Sequence, residues 1–163
     1  MGVERGREMV SEERAETERE SYELERIPGD GDLTRAYEVR YAVFVDEQGV
    51  PRELEVDEFD EQTTHFLLVD ESGTAIGTAR LRIPEAGVAK PERVAVRKQH
   101  RGEGLGRRLM DAVESEAREQ GCSRAILHAQ TAVEEFYRSL GYETTSDEFD
   151  EAGILHVKME KEL

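Results

Sequence analysis

The sequence predicts an α/β domain built around a mixed sheet with helices packed on it. Three observations carry that prediction. Strand-like apolar runs alternate with stretches of helical period, in the order strand, helix, three strands, helix, strand, helix, strand, strand. The 163 residues suffice for one compact domain with a core and are too few for two. Between a strand-like run and a strongly amphipathic one lies a glycine-rich turn, Gly102-Glu-Gly-Leu-Gly106.

Residues 1–20 are almost all charged or small, with Met9 and Val10 the only sizeable apolar pair. Such a segment cannot bury enough surface to offset its ordering entropy, so a mobile charged arm is expected there and a folded domain over 21–163. A strand is expected near Tyr22–Ile27, then a turn at Pro28–Gly31. Asp32 can cap a helix whose apolar side runs Leu33, Ala36, Tyr37, Tyr41 and Phe44, ended by Gly49-Val-Pro51. An acidic loop, Glu53 to Gln62, leads to a strand at His65–Val69. Glu71-Ser-Gly-Thr74 then turns into a strand at Ala75–Ile83. A second turn region is expected at Pro84–Pro91, before a buried strand at Glu92–Val96. The helix after the glycine-rich turn carries Leu105, Leu109, Met110, Val113 and Ala117 on one face and stops at Gly121. Ala125–Leu127 is a further strand. A helix through Val133, Phe136, Tyr137 and Leu140 ends at Gly141. Strands around Tyr142–Thr145 and Leu155–Met159 follow.

Charge narrows the possible functions. Asp and Glu number 38 against 22 Lys and Arg, a formal net charge of -16. Only four of the cations are lysines, Lys90, Lys98, Lys158 and Lys161. A dispersed acidic surface of this kind suits a salty cytoplasm, where screening suppresses self-repulsion; the alternative is an acidic protein with no such adaptation. Binding to nucleic acid is not expected, because neutralising phosphates needs the opposite sign. No apolar run reaches the ~20 residues of a membrane span, no secretory signal pattern is present, and the cytoplasm is the expected compartment. The single cysteine, Cys122, reads as buried filler, and no metal site is expected.

Against this acidic background, residues 97–108 carry Arg97, Lys98, Arg101, Arg107 and Arg108 with Glu103 alone, a local net charge of +4. Glycines allow close approach of the backbone, and the first amides of a helix lack internal partners. With the helix dipole they make a site for a polyphosphate. The dinucleotide fingerprint fails because Arg107 stands where its third glycine belongs, and no G-K-S/T tripeptide marks a P-loop. The remaining alternative is a tight turn with arginines in solvent.

Arg101-Gly-Glu-Gly-Leu-Gly106 has an arginine, two residues, a glycine, one residue and a second glycine. In that spacing, between strand and helix, it resembles the signature of the GNAT acetyltransferases. Glu135-Phe-Tyr-Arg-Ser-Leu-Gly-Tyr142 resembles their second motif. Arg40–Gln48, Glu55-Val-Asp57 with Asp60 ahead of His65, His128-Ala-Gln130 and Asp150–His156 are similar to the ElaA-like and YjcF-like branch, with Leu155 where that branch has a proline. The resemblance covers about residue 22 to the C-terminus. It implies a single GNAT-type domain with a mixed, mostly antiparallel sheet of about six to seven strands. It also implies acetyl-CoA as cosubstrate, an amine as acceptor, and the option of a homodimer.

The resemblance assigns roles as well. Val94, Ala95 and Val96 would hold the pantetheine arm like an added strand, and a backbone amide there would donate to the carbonyl oxygen. Arg101, Gly102, Glu103, Gly104, Leu105, Gly106 and Arg107 would hold the pyrophosphate, with Gln130 and Phe136 completing the cofactor site. Tyr137 would protonate the leaving thiolate; otherwise it is a core aromatic beside Phe136. The base that deprotonates the amine stays open among Glu47, Glu55, Asp57, His65 and His156, with Asp57 and His65 placed in the catalytic set. His65 also fits a structural histidine. If Glu47, Glu55, Asp57 and Asp60 line the acceptor side, a cationic amine is expected. A CoA-binding module without turnover is the other functional class.

Overall fold

The computed structural model describes residues 21–163, so the arm expected over 1–20 lies outside the described residues. Eight strands form one sheet: β1 (Glu23–Ile27), β2 (Thr64–Val69), β3 (Ala75–Glu85), β4 (Val88–Val96), β5 (Arg124–Gln130), β6 (Glu143–Thr144), β7 (Phe149–Glu151) and β8 (Ile154–Glu162). Their order is β1-β2-β3-β4-β5-β8-β6, with the three-residue β7 also paired to β8. Every pairing is antiparallel except β4 with β5. These two strands run parallel because a helix crosses over between them. Their ladder holds only at Val88 with Arg124 and Ala89 with Ala125. Beyond it the strands part, and the sheet opens into a split.

Helix α1 (Thr34–Arg40) continues into a π-helical stretch, Tyr41–Glu47. The helix α2 (Arg52–Glu55) is a single turn, α3 (Leu105–Glu119) is the long crossover, and α4 is Glu134–Ser139. The expected face of α3 is the buried one: Leu105, Leu109, Met110, Val113 and Ala117 are all in the core. They pack on alternate residues of the sheet, among them Leu68, Ile76, Ala125, Leu127 and Met159. The opposite sheet face carries α1, where Ala36, Val39 and Val43 meet Leu67, Val69 and Ala95. Period-2 alternation thus gives each central strand one face to α3 and the other to α1. Cys122 sits in the larger core, where burial pushes its thiol pKa up.

Several elements differ from the sequence reading. The buried side of α1 runs through Ala36, Val39, Arg40 and Val43, while Tyr37, Tyr41 and Phe44 are only half-buried. The π-helical widening and an unforeseen need to bury Arg40 rotate the face. Asp32 accepts a hydrogen bond from the Thr34 amide, two residues on, at 3.0 Å. The supposed turn region Pro84–Pro91 is mostly strand, with only Ala86 and Gly87 turning. Pro91 fits because it lies where β4 has already left β5 and needs no donor on that side. The stretch Glu53–Gln62 is ordered by α2 and a 3-10 turn at Asp60–Gln62. Strand β7 was not foreseen.

Candidate active site

The split between β4 and β5 forms a cleft of about 840 Å³. One wall is β4. Its register against β3 passes from Thr78 opposite Ala95 to Arg80 opposite Glu92, so one β3 residue faces two on β4. This bulge holds Arg93 at φ 55, a conformation unusual outside glycine. Arg93 is fixed there by Glu55 Oε1 at 3.2 Å and Asp57 Oδ2 at 3.2 Å. Val94, Ala95 and Val96 all line the cleft, on an edge with no β5 neighbour to use its backbone groups.

At the far end of β4 the turn Arg101–Gly104 enters α3. Gly102 and Gly104 have φ of 84 and 78, where a side chain is strained. A Cβ on either would meet nothing within 4 Å, so their necessity comes from backbone shape and not from crowding. Gly106 differs: a Cβ there would lie 3.1 Å from Cζ of Phe136, so this glycine seats α3 against α4. Arg101, Gly102, Gly104, Leu105, Gly106 and Arg107 border the cleft. Glu103 does not; its carboxylate accepts a hydrogen bond from the Tyr22 hydroxyl at 2.9 Å. Arg101 donates to Val96 O and to Glu47 Oε1, each at 2.9 Å, which ties the turn to the end of the π-helical stretch. The amides opening a 15-residue helix, on a glycine turn with cationic neighbours, fit the pyrophosphate of an acyl-CoA.

Tyr137 and Phe136 line the same cleft from α4. The Tyr137 ring is 8% exposed, packed edge-on to Phe136 and Tyr142, and burial pushes its pKa up, so the phenol stays protonated. Its hydroxyl makes no hydrogen bond among the described residues, and Tyr137 borders the cavity, whereas Tyr142 donates to Glu114 at 2.9 Å.

The carboxylates expected to face an acceptor are instead matched by guanidiniums. Arg40, fully buried, donates to Glu55 Oε1 at 2.9 Å and to Asp60 Oδ1 at 2.7 Å. Arg80 donates to Asp57 Oδ1 at 2.7 Å, Asp60 Oδ1 at 2.9 Å and Glu92 Oε1 at 3.1 Å. Burial opposes the charge on Asp57, but the hydrogen bond and charge of Arg80, joined by Arg93, hold its pKa below the usual value. Asp57 therefore lines the cleft as the locked partner of two arginines. For Glu55, burial outweighs its arginines and raises the pKa. His65 is 1% exposed, its Nε2 is 2.8 Å from Asp60 O, and it does not border the cleft. Burial pushes its pKa down. These contacts fit the alternative of a structural histidine beside Asp60.

On the α1 side of the split the structure gathers Gln48, His128 and Glu151, to which the sequence reading gave no role, with Gln130 and His156, which it placed in the cofactor site and among the candidate bases. Gln48 and Gln130 pair their side-chain amides. Below them, His128, Glu151 and His156 meet on the cleft wall. The alternation Arg124, Ile126, His128, Gln130 against buried Ala125, Leu127 and Ala129 was the available signal for His128.

The profile of the GNAT acetyltransferase domain matches residues 18–163. The chain belongs to the GNAT acetyltransferase family. YjcF of Bacillus subtilis, named as an uncharacterised N-acetyltransferase, is 41% identical over 131 residues, 80% of this chain and 92% of YjcF. A crystal structure from Lactobacillus plantarum, assigned as an N-acetyltransferase, superposes with TM-score 0.80 at 32% identity, covering 88% of this chain and 99% of that one. ElaA of Escherichia coli shares the fold at TM-score 0.75 and 24% identity, over 86% and 99% of the two chains. GNAT proteins transfer acyl groups from acetyl-CoA.

Proposed function

We propose that this chain is an N-acetyltransferase that moves the acetyl group of acetyl-CoA directly to a primary amine. One observation carries the reading: the β4–β5 split joins a helix-capped anion site at one end to a protonated, cleft-facing Tyr137 in its interior. The cosubstrate supplies the acetyl group as an activated thioester. The amides from Arg101 to Gly106, with Arg107, hold its pyrophosphate, and the free edge at Val94–Val96 holds the amide-bearing arm. A β4 amide donates to the carbonyl oxygen as charge develops there. Tyr137 gives its proton to the departing sulfur, and its raised pKa keeps that proton available at neutral pH. Gln130 and Phe136 border the same channel.

The acceptor's charge is no longer fixed by the acidic loop. Glu47, Glu55, Asp57 and Asp60 are each paired with an arginine, so none brings unbalanced negative potential to the cleft. The test is a thiol-release assay with acetyl-CoA over amines of differing charge, in low and high salt. Saturable, amine-dependent release supports the enzyme. Acetyl-CoA binding with no release for any amine would favour the CoA-binding module.

A further inference from the structure

We propose that His128, oriented by Glu151 and backed by His156, is the general base that takes the proton from the acceptor amine. This rests on the N-acetyltransferase reading and adds the group that reading lacks.

Strands β5 and β8 pair with Gln130 opposite His156 and His128 opposite Lys158, so both histidines project on the α1 face of the sheet. Glu151, at the end of β7, reaches between them. Its Oε1 lies 3.0 Å from His128 Nδ1, and its Oε2 lies 3.5 Å from His156 Nε2. The ring of Phe149 meets His128 edge-on at 5.1 Å and stacks with His156 at 6.0 Å, which fixes both ring planes. The turn that returns the chain to β8 holds Ala152 at φ 54 and Gly153 at φ 80. Gly153 N donates to Asp150 Oδ1 at 3.1 Å, fixing the loop that presents Glu151. His128, Glu151 and His156 all border the cleft.

The tautomer follows from these contacts. An ionised carboxylate only accepts, so His128 Nδ1 carries the hydrogen. Glu151 is held ionised: the hydrogen bond from His128 lowers its pKa against the opposing effect of burial, and the positive charge of Lys90 adds to the lowering. Nε2 of His128 then keeps its lone pair and has no hydrogen-bond partner among the described residues. His156 Nδ1 donates to Ile154 O at 2.7 Å, which leaves its Nε2 facing Glu151. The other candidates are engaged elsewhere: Glu47 by Arg101, Glu55 by Arg40, Asp57 by Arg80, and His65 by burial. The charged groups around His128 are Glu151 on β7, His156 and Lys158 on β8, and Lys90 on β4.

In the step itself, the acceptor ammonium gives one proton to His128 Nε2. The freed nitrogen lone pair forms the C–N bond as the C–S bond breaks, and Tyr137 protonates the sulfur. The second nitrogen proton restores the Tyr137 hydroxyl through solvent, and the proton on His128 leaves to water. One proton is released per amide formed.

Two measurements on the full chain test this. Long-range 15N–1H NMR of the imidazoles should show His128 as the Nδ1–H tautomer, reverting to a mixture in Glu151→Ala. His128→Gln should lower kcat on the order of 10²–10³-fold with calorimetric acetyl-CoA affinity unchanged, and added imidazole should restore part of the rate in His128→Gly. An Nε2–H tautomer in the wild type, or wild-type turnover in His128→Gln, overturns the assignment. Absence of turnover in the wild type with every amine removes the N-acetyltransferase reading itself, and this base with it.

Discussion

Gln48 and Gln130 exchange two side-chain hydrogen bonds, 2.8 and 3.2 Å long, that bridge the end of the π-helical stretch and the end of β5. They stand 82 residues apart in sequence and both border the cleft. Each amide satisfies the other, so a ligand amide entering between β4 and β5 competes for one of them. If Gln130 is the one that turns to the cofactor, the two single variants differ in sign. Gln130→Ala should weaken acetyl-CoA binding about 5- to 10-fold, the scale of one lost hydrogen bond. Gln48→Ala should leave affinity equal or higher. Isothermal titration of both variants decides it, and equal losses would assign the pair a purely structural role.

Tyr137→Phe keeps the ring that packs on Phe136 and Tyr142 and removes only the proton donor. Cofactor affinity should hold while kcat falls on the order of 10²-fold. Unaltered turnover would return Tyr137 to the core.

Gly104 and Gly121 have similar backbone angles, φ 78 and 85, and neither would crowd a Cβ. Alanine at either should cost about 1 kcal/mol of stability through strain alone. Only Gly104 borders the cleft, so only Gly104→Ala should also weaken acetyl-CoA binding. Melting curves and titrations on the matched pair separate strain from ligand contact. Equal cofactor affinity in the two variants would remove Gly104 from the anion site.

Asp60 ties the buried ion cluster together. Burial opposes its charge, but hydrogen bonds from Arg40 and from the Asp57 amide, with the charges of Arg40 and Arg80, lower its pKa from 3.8 to about 2. A folded-state pKa below the unfolded one gives stability that is full above about pH 4 and drains away as pH falls towards 2. The amount is roughly 2 kcal/mol. Urea titrations at stepped pH should show this loss in the wild type. Asp60→Asn should be destabilised at neutral pH, by about 3–5 kcal/mol if two buried guanidiniums lose their shared carboxylate, and should have a flatter acid dependence. The same pH slope in both proteins would locate the acid sensitivity elsewhere.

The net charge of -16 predicts a salt response. Melting temperature should rise with KCl into the molar range as screening relieves self-repulsion. A melting temperature indifferent to KCl would disconnect the acidic surface from any saline host.

The sequence by itself determined the parts of this protein that depend on neighbours along the chain. The glycine turn, the helix start behind it and the buried stripe Leu105–Ala117 all lie within one short window, where backbone geometry and a 3.6-residue period leave a direct imprint. The family resemblance, with its acetyl-CoA expectation, rests on the same local motifs. Only the tertiary structure decided what surrounds the reacting centre. It took Arg40 and Arg80 into the interior and, with Arg93, paired the acidic loop's Glu55, Asp57 and Asp60 against three guanidiniums. It buried His65 and gathered His128, Glu151 and His156 from three strands. A carboxylate reads the same in sequence whether it faces water, substrate or a guanidinium. Which of these it meets depends on sheet register and on burial making an unpaired charge too costly, and neither is written in the residues next to it.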